Sequence, residues 1–382
     1  MNKTYDLLIL GGGVSACIFV SSIISKGFKG KIVIIENGRD LGGRFTTRKS
    51  FKNKGFQLNH GTANFNIINN NNDKLLNDFL SNLIKRNLIR LDDSLFFELD
   101  KNRDLLTFTE NPFYKGDVFV PIFSMSYLLN KLIGDAVKNN QIDLFFNTLI
   151  TDLIFLENNW FAYSQDGIVF NAKFVVSSSN LILHKRSTEI FKKNDIPIRD
   201  AIPKGQNKII DNLINLVNKQ NYVVRVNYLI YTNQNYKYNN LSKKQNVHFI
   251  LNSKAESIFG FERIIFQRQS SEKIGIVIHT RKQLIDLSNY DKNFSNDELV
   301  DNFNHIFQHS NLINKLVDYE DISIMRWRAS QPEGLRIPKG LQLCEEYKLA
   351  FCGDWLDYSG FGRVEGAILS ALHLSKNVMQ VF

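Results

Sequence analysis

The chain has 382 residues, more than one ordinary hydrophobic core requires, so two domains are expected. Its 43% hydrophobic and 22% charged residues are the proportions of a soluble globular protein. The net charge of +9 comes from 47 basic and 38 acidic residues scattered without a run of five, which argues against a nucleic-acid binder and leaves a basic face that steers an anionic small molecule. Three cysteines, Cys17, Cys344 and Cys352, cannot all pair and form no Cys-x-x-Cys spacing. They point to a reducing compartment and to no structural metal, with Cys17 and Cys352 as small core residues. Leu7 to Ile24 carries no charge and is long enough to resemble a membrane span. The Gly11-Gly12-Gly13 triplet interrupts it, so a strand followed by a buried helix explains it better, and a cytoplasmic protein without an integral membrane segment is expected.

Thr4 to Leu10 reads as a buried strand, and Gly11-Gly12-Gly13-Val14-Ser15-Ala16 follows as G-x-G-x-x-A where a helix begins. Lys31 to Ile35 is a second apolar strand ending in Glu36, 20 residues beyond Ala16. That is the spacing of a dinucleotide-binding βαβ unit. Gly11 allows the tight turn, Gly13 lets backbone approach a pyrophosphate, and Ala16 lets the helix pack on the strand. The helix N-terminus, through Val14 and Ser15, offers N–H groups and a positive dipole end to phosphates. Glu36, followed by Asn37, accepts from both hydroxyls of an adenosine ribose and repels a 2′-phosphate.

Leu41-Gly42-Gly43-Arg44-Phe45-Thr46-Thr47-Arg48 follows. A strand, G-x-G-x-x-A, a strand ending in Glu and then L-G-G-R resembles the start of the FAD-dependent amine oxidase superfamily, and Gly-Gly-Arg-Phe-Thr-Thr-Arg is most similar to its renalase-like branch. The resemblance implies that Gly42, Gly43 and Arg44 lie against the FAD pyrophosphate and the flavin edge. A second glycine turn with a guanidinium fork also gives more anion-binding groups than NAD alone needs. Gly55 to Gly61 resembles the superfamily's D/N-H-G strand beside the flavin. His60 is then a candidate base, or it orders the loop while Gly61 gives the flavin clearance.

Asn66–Asp73 reads as a turn, Lys74–Lys85 as a helix, and Ser94–Leu99 and Leu105–Thr109 as strands of an excursion into the second domain. A helix is predicted over Met125–Val137. Strands follow over Ile142–Phe146, Thr148–Leu156, Trp160–Ser164, Ile168–Phe170 and Phe174–Ser177, with a hairpin turn at Gln165-Asp166-Gly167. The resemblance returns this meander to the nucleotide domain, with backbone near Leu149–Ile150 meeting the adenine. Beyond Asn180 comes a helix near Ile209–Asn218, then β stretches at Tyr222–Tyr231, Val247–Leu251, Arg263–Gln267 and Ile274–His279. A polar loop falls at Gln234–Asn246 and a long helix near Asp297–Leu316. Together they suggest an antiparallel sheet with helices on one side.

Ile322 to Arg328 is predicted as a strand that carries the chain back, and Arg326-Trp327-Arg328-Ala329-Ser330-Gln331-Pro332 resembles the R-W-x-x-A/S-x-P segment of renalase-like proteins. Trp327 and Arg328 are candidates for the catalytic site, the indole packing on a planar ring and the guanidinium neutralising a substrate anion; a plain crossover strand with an aromatic core residue is the alternative. Leu349 to Trp355, a strand ending in Gly353-Asp354, then Gly360, Gly362-Arg363-Val364-Glu365-Gly366-Ala367 and a helix to about Met379 resemble the superfamily's closing A-G-D … G-x-x-E-G-A motif. The resemblance implies that Asp354 holds the ribitol or a phosphate-side hydroxyl, and that Arg363, Val364 and Glu365 at the helix N-terminus face flavin N1 and C2=O. The superfamily's active-site Lys has no assigned counterpart; Arg268, Lys273 and His279 fall in the corresponding sheet by analogy alone.

The expected fold is α/β: a Rossmann-type FAD-binding domain of residues 1–65, 115–180 and 335–382, interleaved with an α+β substrate domain of residues 66–114 and 181–334. The expected activity is flavin-dependent oxidation with non-covalent FAD. The resemblance implies hydride transfer to flavin N5 from a small amine or reduced nicotinamide dinucleotide, with O2 as re-oxidant and NAD(P)H as a possible partner. A flavin desaturase or isomerase of a lipid-like substrate, and a non-enzymatic FAD-binding protein, are the alternatives.

Overall fold

The uncharged run from Leu7 to Ile24 is divided by its glycines into a strand, β1 (Thr4–Leu10), and a helix, α1 (Val14–Ser25). The computed structural model describes residues 4–52, 55–68, 73–106, 115–232, 246–269, 274–281, 283–284, 294–309, 313 and 315–382. Parts of the predicted strand 105–109, the turn 66–73, the loop 234–246 and the helix 297–316 lie outside these residues, as does Lys273.

The first sheet has a parallel heart in the order Ile142–Phe145, β2 (Ile32–Ile35), β1, Val169–Ser177 and Leu349–Phe351. Val, Ile and Leu dominate these strands because helices cover both faces. The strand Val169–Ser177 was expected as two. It is one, because Asn171 and Lys173 only alternate with buried Ala172 and Phe174 and do not break the pleat. Its first half pairs antiparallel with Asn159–Ser164, which in turn pairs with Ile150–Leu156; from Asn171 on it pairs parallel with β1, and its last three residues pair parallel with Leu349–Phe351.

On one face, α1 packs with Met125–Lys138 and the last helix, Val364–Val378, around Phe19, Leu129 and Leu369. Alpha1 is apolar on nearly every side because it is buried there. Ser22 and Ser375 face each other with their Oγ atoms 2.8 Å apart. Cys17 and Cys352 are fully buried in this layer, as small core residues. Helix Lys74–Lys85, capped by the Asp73 carboxylate on the Leu76 N–H at 3.1 Å, adds Leu76, Leu80 and Leu83. On the other face lie Leu183, Ile198, Ile210 and Leu213 of residues 181–218, a segment that the sequence reading puts with the second domain.

The second sheet runs in the order Gln283–Leu284, Asn221–Thr232, Ile274–Thr280, Phe261–Arg268, Asn246–Leu251, Leu95–Leu99 and Leu105–Leu106, with Asp321–Glu333 alongside Asn221–Thr232. It is antiparallel except where Leu95–Leu99 runs parallel to Asn246–Leu251. Helices Ser253–Phe259 and Asn296–Ile306 cover one face over Tyr228, Ile264, Phe266 and Ile278. The opposite face carries Leu229, Tyr231, Ile265 and Val277 against Phe56 and Leu58, and then turns polar. No helix among the described residues is long and apolar enough to cross a membrane.

Candidate functional site

The parallel strands all end at one edge of the first sheet, and the turns of both glycine motifs lie there. This is where open α/β sheets bind ligands. A cavity of about 400 Å³ opens between that edge and the polar face of the second sheet. Gly11, Gly13, Val14, Ser15 and Glu36 line it from the first motif, Gly42, Gly43 and Arg44 from the second, and Gly353, Asp354, Gly362, Arg363 and Val364 from the last. Three segments far apart in the chain thus meet at one opening.

The glycines there form a cradle. A Cβ on Gly43 would meet no protein atom within 4 Å, and one on Gly13 only the Ser178 Oγ at 3.9 Å. At Gly61, which also lines the cavity, a Cβ would fall 2.1 Å from the Arg44 carbonyl oxygen, so backbone passes backbone where no side chain fits. Alpha1 and the last helix begin at Gly13 and Arg363, and neither N-cap supplies a side-chain acceptor. Both residues line the cavity. The Glu36 carboxylate sits between two turns, taking the Gly12 N–H at 2.7 Å and the Gly38 N–H at 2.5 Å.

Arg44 and Asp354 bind each other. The guanidinium donates to both carboxylate oxygens at 2.7 and 2.8 Å and to the Ser330 carbonyl at 2.8 Å. Asp354 beside it raises the Arg44 pKa. The second and last motifs are therefore clamped together through a bidentate pair.

Five arginines line the cavity (Arg44, Arg186, Arg225, Arg263 and Arg363) against two carboxylates, Glu36 and Asp354. That imbalance favours an anionic ligand. Arg225 is tied to Glu262 by two contacts of 2.8 and 2.7 Å. Around the same cavity, five buried polar atoms have no partner among the described residues: Arg186 Nη1, Asn227 Oδ1, His279 Nε2, Trp327 Nε1 and Trp355 Nε1. Buried polar groups are ordinarily hydrogen-bonded, so such a set on one surface marks where a polar ligand belongs. His279 is held neutral, its pKa well below 6.5, by burial and by Arg263 and Arg225.

Six expected site residues do not line this cavity. His60 is 1% exposed and stacks on Trp327 with ring centres 5.5 Å apart, and its carbonyl accepts from Asn227 Nδ2 at 2.7 Å. Burial and Arg48 lower its pKa to about 4. It backs the indole, and its ring does not line the cavity. Arg328 is exposed, because residues 326 and 328 of the crossover strand point away from the side on which Trp327 lines the cavity. Ala16 is fully buried and serves helix packing. Glu365 is buried and accepts from the Ser359 hydroxyl at 2.9 Å and the Ile68 N–H at 3.2 Å, so it fixes the turn before the last helix. Asn37 is exposed. Ile150 is buried at the start of its strand, and its neighbour Thr148 donates to the Glu36 carbonyl at 3.0 Å. Of the three residues considered by analogy, His279 lines the cavity and Arg268 is exposed outside it. Arg186, Tyr222, Arg225 and Asn227 were not singled out; a charged and an amide residue at alternate positions of the otherwise apolar run Tyr222–Tyr231 were the available signal.

A family model described as an NAD(P)-binding Rossmann-like domain matches residues 9–83. Solved structures of low sequence identity share the fold. A putative protoporphyrinogen oxidase from Exiguobacterium sp. 255-15 shares it over the full length of both chains, at 10% identity and a TM-score of 0.63. An oxidoreductase from Methanosarcina mazei shares it over 97% of this chain and 100% of its own, at 11% identity and a TM-score of 0.66. No curated protein matches the sequence. Among the described residues, no group of three or more His, Cys, Asp or Glu is placed to hold a metal ion.

Proposed function

We propose that the chain is a FAD-dependent oxidoreductase of the amine oxidase type, similar to the renalase-like branch, with FAD held non-covalently and a small, polar, electron-rich substrate. The observation that carries this reading is the meeting of the two glycine turns, two helix N-termini without side-chain caps and Glu36 at one cavity. The cradle at Gly13 and Gly43 and the unpartnered buried donors fit a dinucleotide. Glu36 would take the adenosine ribose, the start of α1 the pyrophosphate, and the start of the last helix the anionic edge of the ring system. Bound there, FAD would supply a two-electron acceptor that air re-oxidises. The chain's own residues would orient the ring against Trp327 and the polar sheet face. The wealth of arginine and unpartnered polar atoms speaks against the alternative of an apolar lipid tunnel. We place the protein in the cytoplasm.

The test is anaerobic mixing of the flavin-loaded protein with reduced nicotinamide dinucleotides and small amines, followed by readmission of air. Bleaching of the flavin absorbance by one of them, and its recovery with formation of hydrogen peroxide, is expected. No bleaching by any of them would contradict the enzymatic reading and favour a non-enzymatic flavoprotein.

A further inference from the structure

The Arg186 guanidinium is fixed from two sides. Its Nη2 donates to Asn180 Oδ1 at 2.9 Å, and its Cζ lies over the Tyr222 ring, 4.4 Å from the centroid. Both partners are locked in turn. The Tyr222 hydroxyl donates to Gln220 Oε1 at 2.6 Å, Asn180 Nδ2 reaches the same oxygen at 3.3 Å, and Gln220 Nε2 donates to the carbonyls of Leu335 at 2.9 Å and Trp355 at 3.0 Å. Gln220 and Asn180 are each 3% exposed. The fork is therefore held still before any ligand arrives, which lowers the cost of binding one.

None of those contacts neutralises the charge. Among the described residues no carboxylate forms an ion pair with Arg186, and its Nη1 is buried without a hydrogen-bond partner. The neighbouring guanidinium of Arg44 differs in this respect, its charge being paired with the Asp354 carboxylate. A half-buried cation that lines a cavity without a counter-ion favours an anion beside it. A purely structural role would leave that charge without a counter-ion, since Asn180 and Tyr222 are both neutral partners. Arg186, Asn180, Tyr222 and Trp355 all line the cavity, and Trp355 Nε1 there is a second buried donor without a partner.

We propose that Arg186 is an oxyanion-binding residue, built to take a carboxylate or phosphate group of the molecule that enters the cavity. The proposal rests on the flavin reading for the nature of its companion ligand, and it names the chemistry that this ligand or its substrate must carry. Either a phosphate of the cofactor or an acidic group of the substrate can supply the anion, and two measurements separate them.

In the first, FAD is titrated into flavin-free wild type and into Arg186→Gln and Arg186→Lys. In the second, wild type and both variants, loaded with FAD, are titrated with benzoate and with benzamide, its neutral counterpart, and followed by tryptophan fluorescence. A tenfold or greater loss of FAD affinity in Arg186→Gln, partly restored in Arg186→Lys, assigns the anion to the cofactor. Unchanged FAD affinity, with benzoate bound at least tenfold more weakly by Arg186→Gln and benzamide indifferent to the change, assigns it to the substrate. Arg186→Gln that keeps wild-type affinity for both FAD and benzoate overturns the proposal, as does a wild type that keeps FAD through Arg186→Gln and does not distinguish benzoate from benzamide. If wild type takes up no FAD, the same titrations are run on the flavin-free proteins, and benzoate binding lost in Arg186→Gln then contradicts the flavin reading alone.

Discussion

Glu36 shows how one side chain can close two turns and still line a cavity. Its carboxylate closes the Gly11–Gly13 turn and the Gly38 turn through two backbone N–H groups, and it lines the cavity. Charge-assisted bonds of this kind contribute about 1.5–3 kcal/mol each. Glu36→Ala is therefore expected to lower FAD affinity at least tenfold while leaving the far-ultraviolet circular dichroism of the FAD-saturated protein unchanged. Fluorescence titration of FAD into the flavin-free protein measures it, and an unchanged affinity would reduce Glu36 to a solvated strand end. Glu36 was legible in the sequence because its evidence is local: a glycine turn, a strand and an acid at fixed spacing. His279 was not. Its meaning arises from Asn227 and Arg263, its partners across the sheet, which lie 52 and 16 residues away in the chain. No local pattern carries that.

The same division holds for elements. Helix Lys74–Lys85 and strand β1 fall where periodicity puts them, since each buries one face or all of itself against a layer that its own pattern announces. The crossover strand was read only to Arg328, yet it runs Asp321–Glu333, because pairing with Asn221–Thr232 carries it on through Pro332, with an irregularity between Val223 and Arg225. A proline at a strand end reads as a stop; tertiary pairing overrides it. The clamp between Arg44 and Asp354 was invisible for another reason. Each motif was assigned its own ligand contact, and only the fold shows that the two side chains, 310 residues apart, satisfy each other. A double-mutant cycle with Arg44→Ala and Asp354→Ala, read by urea unfolding, is expected to give a coupling of about 1.5–3 kcal/mol, the range for hydrogen bonds to charged groups. Additive effects of the two substitutions would mean that the pair joins the motifs in geometry only.

For the molecule as a whole, burial of histidine sets an acid limit on stability. His60, His248 and His279 are 1%, 0% and 3% exposed, and burial lowers the pKa of all three, His60 to about 4. In the unfolded chain a histidine takes up its proton near pH 6.5. Below that pH the unfolded state binds more protons than the native one, so the contribution of these groups is complete above pH 6.5 and is lost as pH falls toward 4. Each proton contributes a slope of about 1.4 kcal/mol per pH unit. Unfolding free energies from urea titrations at pH 7.5, 6.5, 5.5 and 5.0 are expected to be level over the first interval and then to fall steeply; a flat profile down to pH 5 would mean that the histidines are not buried neutral. The central claim is that both ends of the chain build one FAD site, and absorbance and acid release of the cofactor test it most directly. Purified protein, reconstituted with FAD where needed, should be yellow and should release about one FAD per chain, unmodified, on acid precipitation. A colourless protein that takes up no FAD from excess would contradict the account.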